Sequence, residues 1–230
     1  MEKKKQSIVE QIANVLIING GFLDNPGLYN GEMGLVLFFA RYARHTRNDL
    51  YMAYCSELIE KIQQIVHQDT PINYTQGLTG IGSAIEYLVQ NQYFEVDTDE
   101  ILEDFDKRIF FTFNLAYLPV DLTIDVLRYV NWRLSGNSTQ KDKIRRYVLP
   151  QIEKVLARNQ NSDYDVPDQF SNSIMPAGFE DKTMNHCLEL ISTNQFWNMD
   201  LGLYDGLAGW GMALMTELDN DNSWFSLFSY

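Results

Sequence analysis

The chain has 230 residues, a formal net charge of −13 and 13% aromatic residues. That length supports one well-buried domain and no Pro/Gly/Ser-rich linker divides it, so a single domain over residues 1–230 is expected. The acidic balance argues against a nucleic-acid partner, and no apolar stretch approaches a membrane span.

The first residues, Met-Glu-Lys-Lys-Lys, have the charge of a secretory leader, but Glu10, Gln11 and Asn14 interrupt the apolar run such a leader needs. Ser7 to Ile18 places Ile8, Ile12, Val15 and Leu16 on one face at helical spacing. Leu35, Phe38, Phe39 and Tyr42 continue that period after a Gly-rich loop. Leu50 to Val66 is the next predicted helix, then Ile81 to Val89 after a second such loop. Glu100 to Phe111, Leu122 to Leu134, Lys141 to Ala157, Lys182 to Ile191 and Leu207 to Leu218 follow. Pro150 is expected to kink or split its segment. No alternating strand pattern interrupts the series, so the expected fold class is all-α. Cys55 and Cys187 fall on separate predicted helices and are expected as buried free thiols, which together with the absent leader points to the cytoplasm.

The loops carry an internal repeat. Gly27-Leu-Tyr-Asn-Gly-Glu-Met-Gly34 returns as Gly202-Leu-Tyr-Asp-Gly-Leu-Ala-Gly209, and Gln76-Gly-Leu-Thr-Gly-Ile-Gly82 is a third copy. Aligned on Gly31, Gly77 and Gly206, the first interval is 46 residues and the second 129, close to three units of about 43. Asp121-Leu122-Thr123 fits as a degenerate copy, and spacing alone places another near Tyr164. The repeating unit reads as an α/α hairpin of outer helix, loop and inner helix. Stacked hairpins would form a small or incomplete α/α toroid with inner-helix N-termini gathered at one mouth. The loop glycines are expected to permit a positive-φ turn and close helix approach.

At that mouth stand Asn30, Gln76 and Asp205, each just before its anchoring glycine. Asn30 and Asp205 suit N-capping, which Gln76 does poorly. The alternative is a binding ring of these amides and carboxylates walled by Tyr29, Tyr74, Tyr204 and Trp210. Glu32 paired with Asp121 or Asp205 would be the acid and base of a metal-independent hydrolase or lyase of the α/α-toroid kind.

The Gly-Leu-x-x-Gly-x-x-Gly loop preceding an apolar helix, repeated in phase, resembles the lanthionine synthetase C-like family, and Asp205-Gly-Leu-Ala-Gly-Trp-Gly-Met-Ala-Leu214 is similar to its last loop. The resemblance implies a shortened α/α toroid concerned with peptide modification or maturation. Catalytic members of the family hold zinc through two cysteines and a histidine in Trp-Cys-x-Gly and Cys-His-Gly elements. The metal activates a substrate thiol for addition to a dehydrated Ser or Thr. None of those ligands carries over: Tyr204-Asp205-Gly206 replaces Cys-His-Gly, and His186-Cys187 is reversed in order with no glycine after it. That pair supplies two ligands at most, where a catalytic zinc needs three. No cofactor is therefore expected. The implied role is a zinc-free relative that binds a peptide or partner modification protein, with homodimerisation a further possibility if an open ring exposes an apolar edge.

Overall fold

The computed structural model of the chain describes residues 2–112, 114–159, 200–204 and 206–228, and every regular element among them is helical. In chain order the described α-helices are α1 (Glu2–Gly20), α2 (Glu32–Thr46), α3 (Leu50–Ile65), α4 (Leu78–Gln90), α5 (Thr98–Ile101), α6 (Glu103–Lys107), α7 (Val120–Ser135), α8 (Lys141–Lys143), α9 (Leu149–Asn159) and α10 (Leu207–Asp219). Two compact units result, one holding the described residues of Met1–His67 and Gln169–Ser229, the other those of Gln68–Asp168. No described helix is long and apolar enough to cross a membrane.

In the first unit α2 packs against α3 and α10, and α1 against α10 and α2. The distinction between inner and outer helices is written in burial. Twelve of the fifteen residues of α2 are buried, against three of sixteen in α3. A helix buried nearly all round must be largely apolar, the buried Glu32 and Arg41 of α2 being paired with Lys61 and Asp221, whereas an outer helix needs only a stripe. Phe38 and Phe39 of α2 are fully buried, and Tyr54 of α3 meets Phe39 edge-on with ring centroids 4.9 Å apart. Helix α1 runs past the predicted Ser7 boundary because tertiary contacts extend it. Lys5 pairs with Glu217 of α10, and Gln6 meets His45 of α2, whose other ring nitrogen lies 2.6 Å from Asp219.

In the second unit α4 packs against α7, and α7 against α9. The predicted Glu100–Phe111 helix is broken into α5, α6 and a π-helical turn over Arg108–Thr112. The predicted Lys141–Ala157 helix runs from α8 to α9 through a second π turn, Ile144–Val148. Pro150 has no N–H to donate, and its ring crowds the carbonyl of Arg146. The wide turn spans that carbonyl and relieves the conflict. The predicted helix over 182–191 lies outside the described residues.

The three loops share one geometry, which corrects the expected role of their glycines. Gly31, Gly77 and Gly206 cap α2, α4 and α10 with φ of −134°, −118° and −116°, extended backbone rather than a positive-φ turn. They are glycine for lack of space. A Cβ would lie 2.4 Å from the Asn25 carbonyl at Gly31, 2.1 Å from the Pro71 carbonyl at Gly77 and 2.4 Å from the Gly202 carbonyl at Gly206. The loop is held close because the first N–H of each inner helix donates to a carbonyl seven residues back, which at Gly31 and Gly77 is itself the crowding group. Glu32 N–H reaches Asn25 O at 2.8 Å, Leu78 N–H reaches Pro71 O at 2.9 Å, and Leu207 N–H reaches Asp200 O at 2.9 Å. Backbone thus does the capping expected of side chains, and Asn30 is not a cap. Five residues after the anchors, Gly82 and Gly211 admit neighbouring aromatic rings: a Cβ would meet Tyr129 at 2.5 Å and Phe38 at 2.3 Å.

Candidate functional site

The first and last Gly loops interlock. Tyr29 O accepts from Leu203 N–H at 2.6 Å and from Tyr204 N–H at 3.1 Å. A Cβ on Gly202 would come 2.7 Å from Asn30 Cα and from Tyr29 O, so only glycine lets the loops approach this closely. The repeat-equivalent Tyr29 and Tyr204 consequently stack, with centroids 5.4 Å apart and planes 17° from parallel. Phe228 closes the back of Tyr29 edge-on at 5.6 Å. With its amide nitrogen turned toward the neighbouring carbonyls, Asn30 donates to Tyr29 O at 3.0 Å and Tyr204 O at 3.2 Å. Tyr29 is buried, Tyr204 half-buried and Asn30 exposed. The result is an aromatic and amide platform, tied at its base by backbone hydrogen bonds and partly exposed at Tyr204 and Asn30. Three of the residues named from sequence are thereby brought together.

This platform does not offer a row of free N–H donors. Leu207, Ala208 and Gly209, the first three residues of α10, donate to Asp200 O, Leu201 O and Gly202 O at 2.9, 3.3 and 3.3 Å. The N-terminus of α10 is therefore closed to an anion by its own loop, whatever its dipole.

The other sequence candidates are dispersed. Trp210 is half-buried in the first turn of α10. Glu32 is fully buried at the start of α2, and its Oε1 lies 2.5 Å from Lys61 Nζ of α3. That ammonium also donates to Gly21 O at 2.8 Å and Leu23 O at 2.7 Å, tying the first loop to the outer helix. Burial pushes the Glu32 carboxyl above its ordinary value against the pull of Lys61. In the second unit, Gln76 is exposed and its N–H donates to Asn73 Oδ1 at 3.0 Å. Tyr74 is buried beneath the Arg128 guanidinium, 5.1 Å from its ring centroid, and its N–H donates to Asp125 Oδ2 at 3.0 Å. Asp121 is exposed in the first turn of α7. Asp205, His186 and Cys187 lie outside the described residues.

A larger polar cluster in the second unit escaped the sequence reading. Arg133 of α7 is fully buried, with Nη1 donating to Glu86 at 2.6 Å and Thr98 at 3.2 Å. Its Nη2 donates to Asp99 at 2.6 Å and Asp106 at 2.8 Å. Asp99 also accepts from Ser138 and Thr139, and Tyr129 donates to Asp106 at 2.7 Å. Burial opposes ionisation of Asp99, but hydrogen bonds from Ser138, Thr139 and Arg133 outweigh it and hold the carboxyl well below its usual range. Burial dominates at Asp106 and raises it. One guanidinium thus clamps α4, α5, α6 and α7. The signal for it was available: Val126, Tyr129, Val130 and Arg133 fall at helical spacing on one face, and all are buried. Beside the clamp lies a cleft of about 120 Å³ lined by Asp106, Phe110, Phe111, Lys143 and Ile144, among others. Ligand pockets usually measure roughly 300–1,000 Å³, so this cleft is too small to enclose a peptide.

The described residues do not fit a zinc site. They contain no group of three or more His, Cys, Asp or Glu residues able to hold a metal. Cys55 is buried, its thiol donates to Val36 O at 3.6 Å, and burial pushes it up to about 12, the reverse of what a thiolate ligand requires.

No curated protein and no solved structure matches the chain. A family model described as lanthionine synthetase C-like protein does match, over residues 23–175. The matched stretch contains the first two Gly loops with their inner helices α2 and α4, the same features that carry the repeat. It spans more than half of the 230 residues, and the chain belongs to the lanthionine synthetase C-like family.

Proposed function

We propose that this chain is a non-catalytic, zinc-free member of its family that binds a peptide or a partner modification protein during peptide modification or maturation, in the cytoplasm. The observation that carries the reading is the Tyr29–Tyr204 stack with Asn30 bonded across it. Aromatic faces and amides fixed by backbone suit contact with a peptide chain, because little side-chain entropy remains to be lost on binding. The loops that build the platform contain neither cysteine nor histidine, so thiol activation has no protein ligand there. Glu32, buried and paired with Lys61, fits a role in fixing the first loop better than one as a general acid facing a substrate.

The test is fluorescence anisotropy with labelled linear peptides containing Cys and dehydrated Ser or Thr, alongside a count of free thiols. Binding without thiol loss, weakened about tenfold by Tyr204→Ala, is the expected outcome. Consumption of the peptide thiol would make the protein a cyclase. Equal binding by the Tyr204 and Asn30 alanine variants would remove the platform from the account.

A further inference from the structure

The run from Lys141 to Arg158 holds six of the chain's eighteen Lys and Arg residues and two carboxylates, in a protein of net charge −13. Lys143, Arg146, Lys154 and Arg158 are all exposed. Among the described residues, the ion pair on this run is Arg145 with Asp142 at 3.8 Å, a contact within the helix. A cationic strip this concentrated on so acidic a chain, with no ion pair on it but Arg145–Asp142 among the described residues, is a charge separation and not a scatter of solubilising residues.

Aromatic rings stand among these cations. Phe111, Tyr117 and Tyr147 are 53%, 78% and 56% exposed. Lys143 Nζ sits over the Phe111 ring, 4.5 Å from its centroid. The Arg158 guanidinium lies 6.0 Å from the centroid of Tyr117, and its Nη1 donates to Ala116 O at 3.1 Å. The turn Leu115–Tyr117 packs on α9. The two π turns and α9 therefore present one surface, with Lys143 and Arg158 already positioned against rings.

We propose that this face docks an acidic peptide segment that also carries apolar or aromatic side chains. Carboxylates of the ligand would meet Arg146 and Lys154, and its apolar side chains would lie on the exposed rings. Rings already engaged by Lys143 and Arg158 reduce the ordering cost of binding. A nucleic acid is disfavoured because its phosphates are continuous, whereas Glu103 and Asp106 line the adjoining cleft and the whole chain is strongly anionic. The surface belongs to the second unit, uses none of the platform residues, and goes beyond the function proposed above.

The experiment is fluorescence anisotropy with a labelled Glu/Tyr peptide, a Lys/Tyr peptide of equal length and a single-stranded oligonucleotide of equal charge, at low salt and at about 150 mM salt. Wild-type protein is expected to bind the Glu/Tyr peptide, more weakly in salt. Arg146→Glu with Lys154→Glu should weaken binding about tenfold, and Tyr147→Ala about threefold. Lys3→Glu with Lys4→Glu, which makes the same change in net charge on exposed residues of α1, should have a much smaller effect. Absence of binding, an equal loss in the α1 control, or tighter binding of the oligonucleotide would each overturn the proposal. Loss on Tyr204→Ala with retention on Arg146→Glu/Lys154→Glu would also overturn it, while leaving the platform reading intact.

Discussion

Replacing Arg133 with Met removes the charge but keeps most of the buried volume, and the consequence follows from what the guanidinium holds. Glu86 is 1% exposed and Asp106 7%, so neither can turn to water when its partner is lost. Removing one member of a buried ion pair costs about 3–5 kcal/mol, a large fraction of the roughly 5–15 kcal/mol that holds a domain folded. The deficit should depend on pH. Asp99, held below the usual range, contributes stability that is fully present above its unfolded value of about 4 and is lost as pH falls through its lower folded value. Asp106 runs the other way: raised by burial, it costs stability when ionised, and that cost is relieved as pH falls below its folded value. Without Arg133, Asp99 and Asp106 lose a partner that favours their ionised forms and accept protons sooner. Urea unfolding followed by circular dichroism, at about pH 7 and about pH 5, should show a deficit for Arg133→Met near 3–5 kcal/mol at the higher pH and a clearly smaller one at the lower. A loss under about 1 kcal/mol at neutral pH, or a deficit that grows on acidification, would refute the clamp as the organiser of the second unit.

Gly211→Ala should destabilise by about 1–2 kcal/mol, because overpacking against Phe38, 2.3 Å from the added Cβ, outweighs the helix-propensity gain of about 1 kcal/mol. Combining it with Phe38→Leu should recover part of the loss in urea titrations. Lys61→Met leaves the buried Glu32 carboxylate without its ammonium and should cost about 1–3 kcal/mol, discounted because Lys61 is partly exposed; adding Glu32→Gln should restore most of it, as read by thermal unfolding. Cys55, its thiol raised to about 12 and its side chain buried, should resist iodoacetamide in native protein and be alkylated once urea unfolds the chain, as followed by mass spectrometry.

The repeat singled out Tyr29 and Tyr204 as equivalent loop residues beside Tyr74 and Trp210, but not that Tyr29 and Tyr204 would stack on each other. The role of the anchoring glycines was less readable. Glycine serves both positive φ and close approach, and a sequence does not say which; here loop carbonyls, of Asn25, Pro71 and Gly202, decide for close approach. Asn30 looked like a cap because Asn before a helix usually is one, yet the helix begins one residue later and the backbone has taken the capping role. Arg133 was hidden by its chemistry. A charged residue in a helix reads as solvent-facing, and its acceptors Glu86, Asp99 and Asp106 come from separate elements that apolar periodicity does not connect. Only its register with Val126, Tyr129 and Val130 gave it away.

Metal content tests the central claim most directly, measured by elemental analysis on protein purified without added zinc or chelator, with Cys187→Ala as control. The account predicts far less than one zinc per chain in both. Near-stoichiometric zinc in wild type, lost in the Cys187→Ala protein, would contradict it and establish a thiol-activating centre at His186 and Cys187.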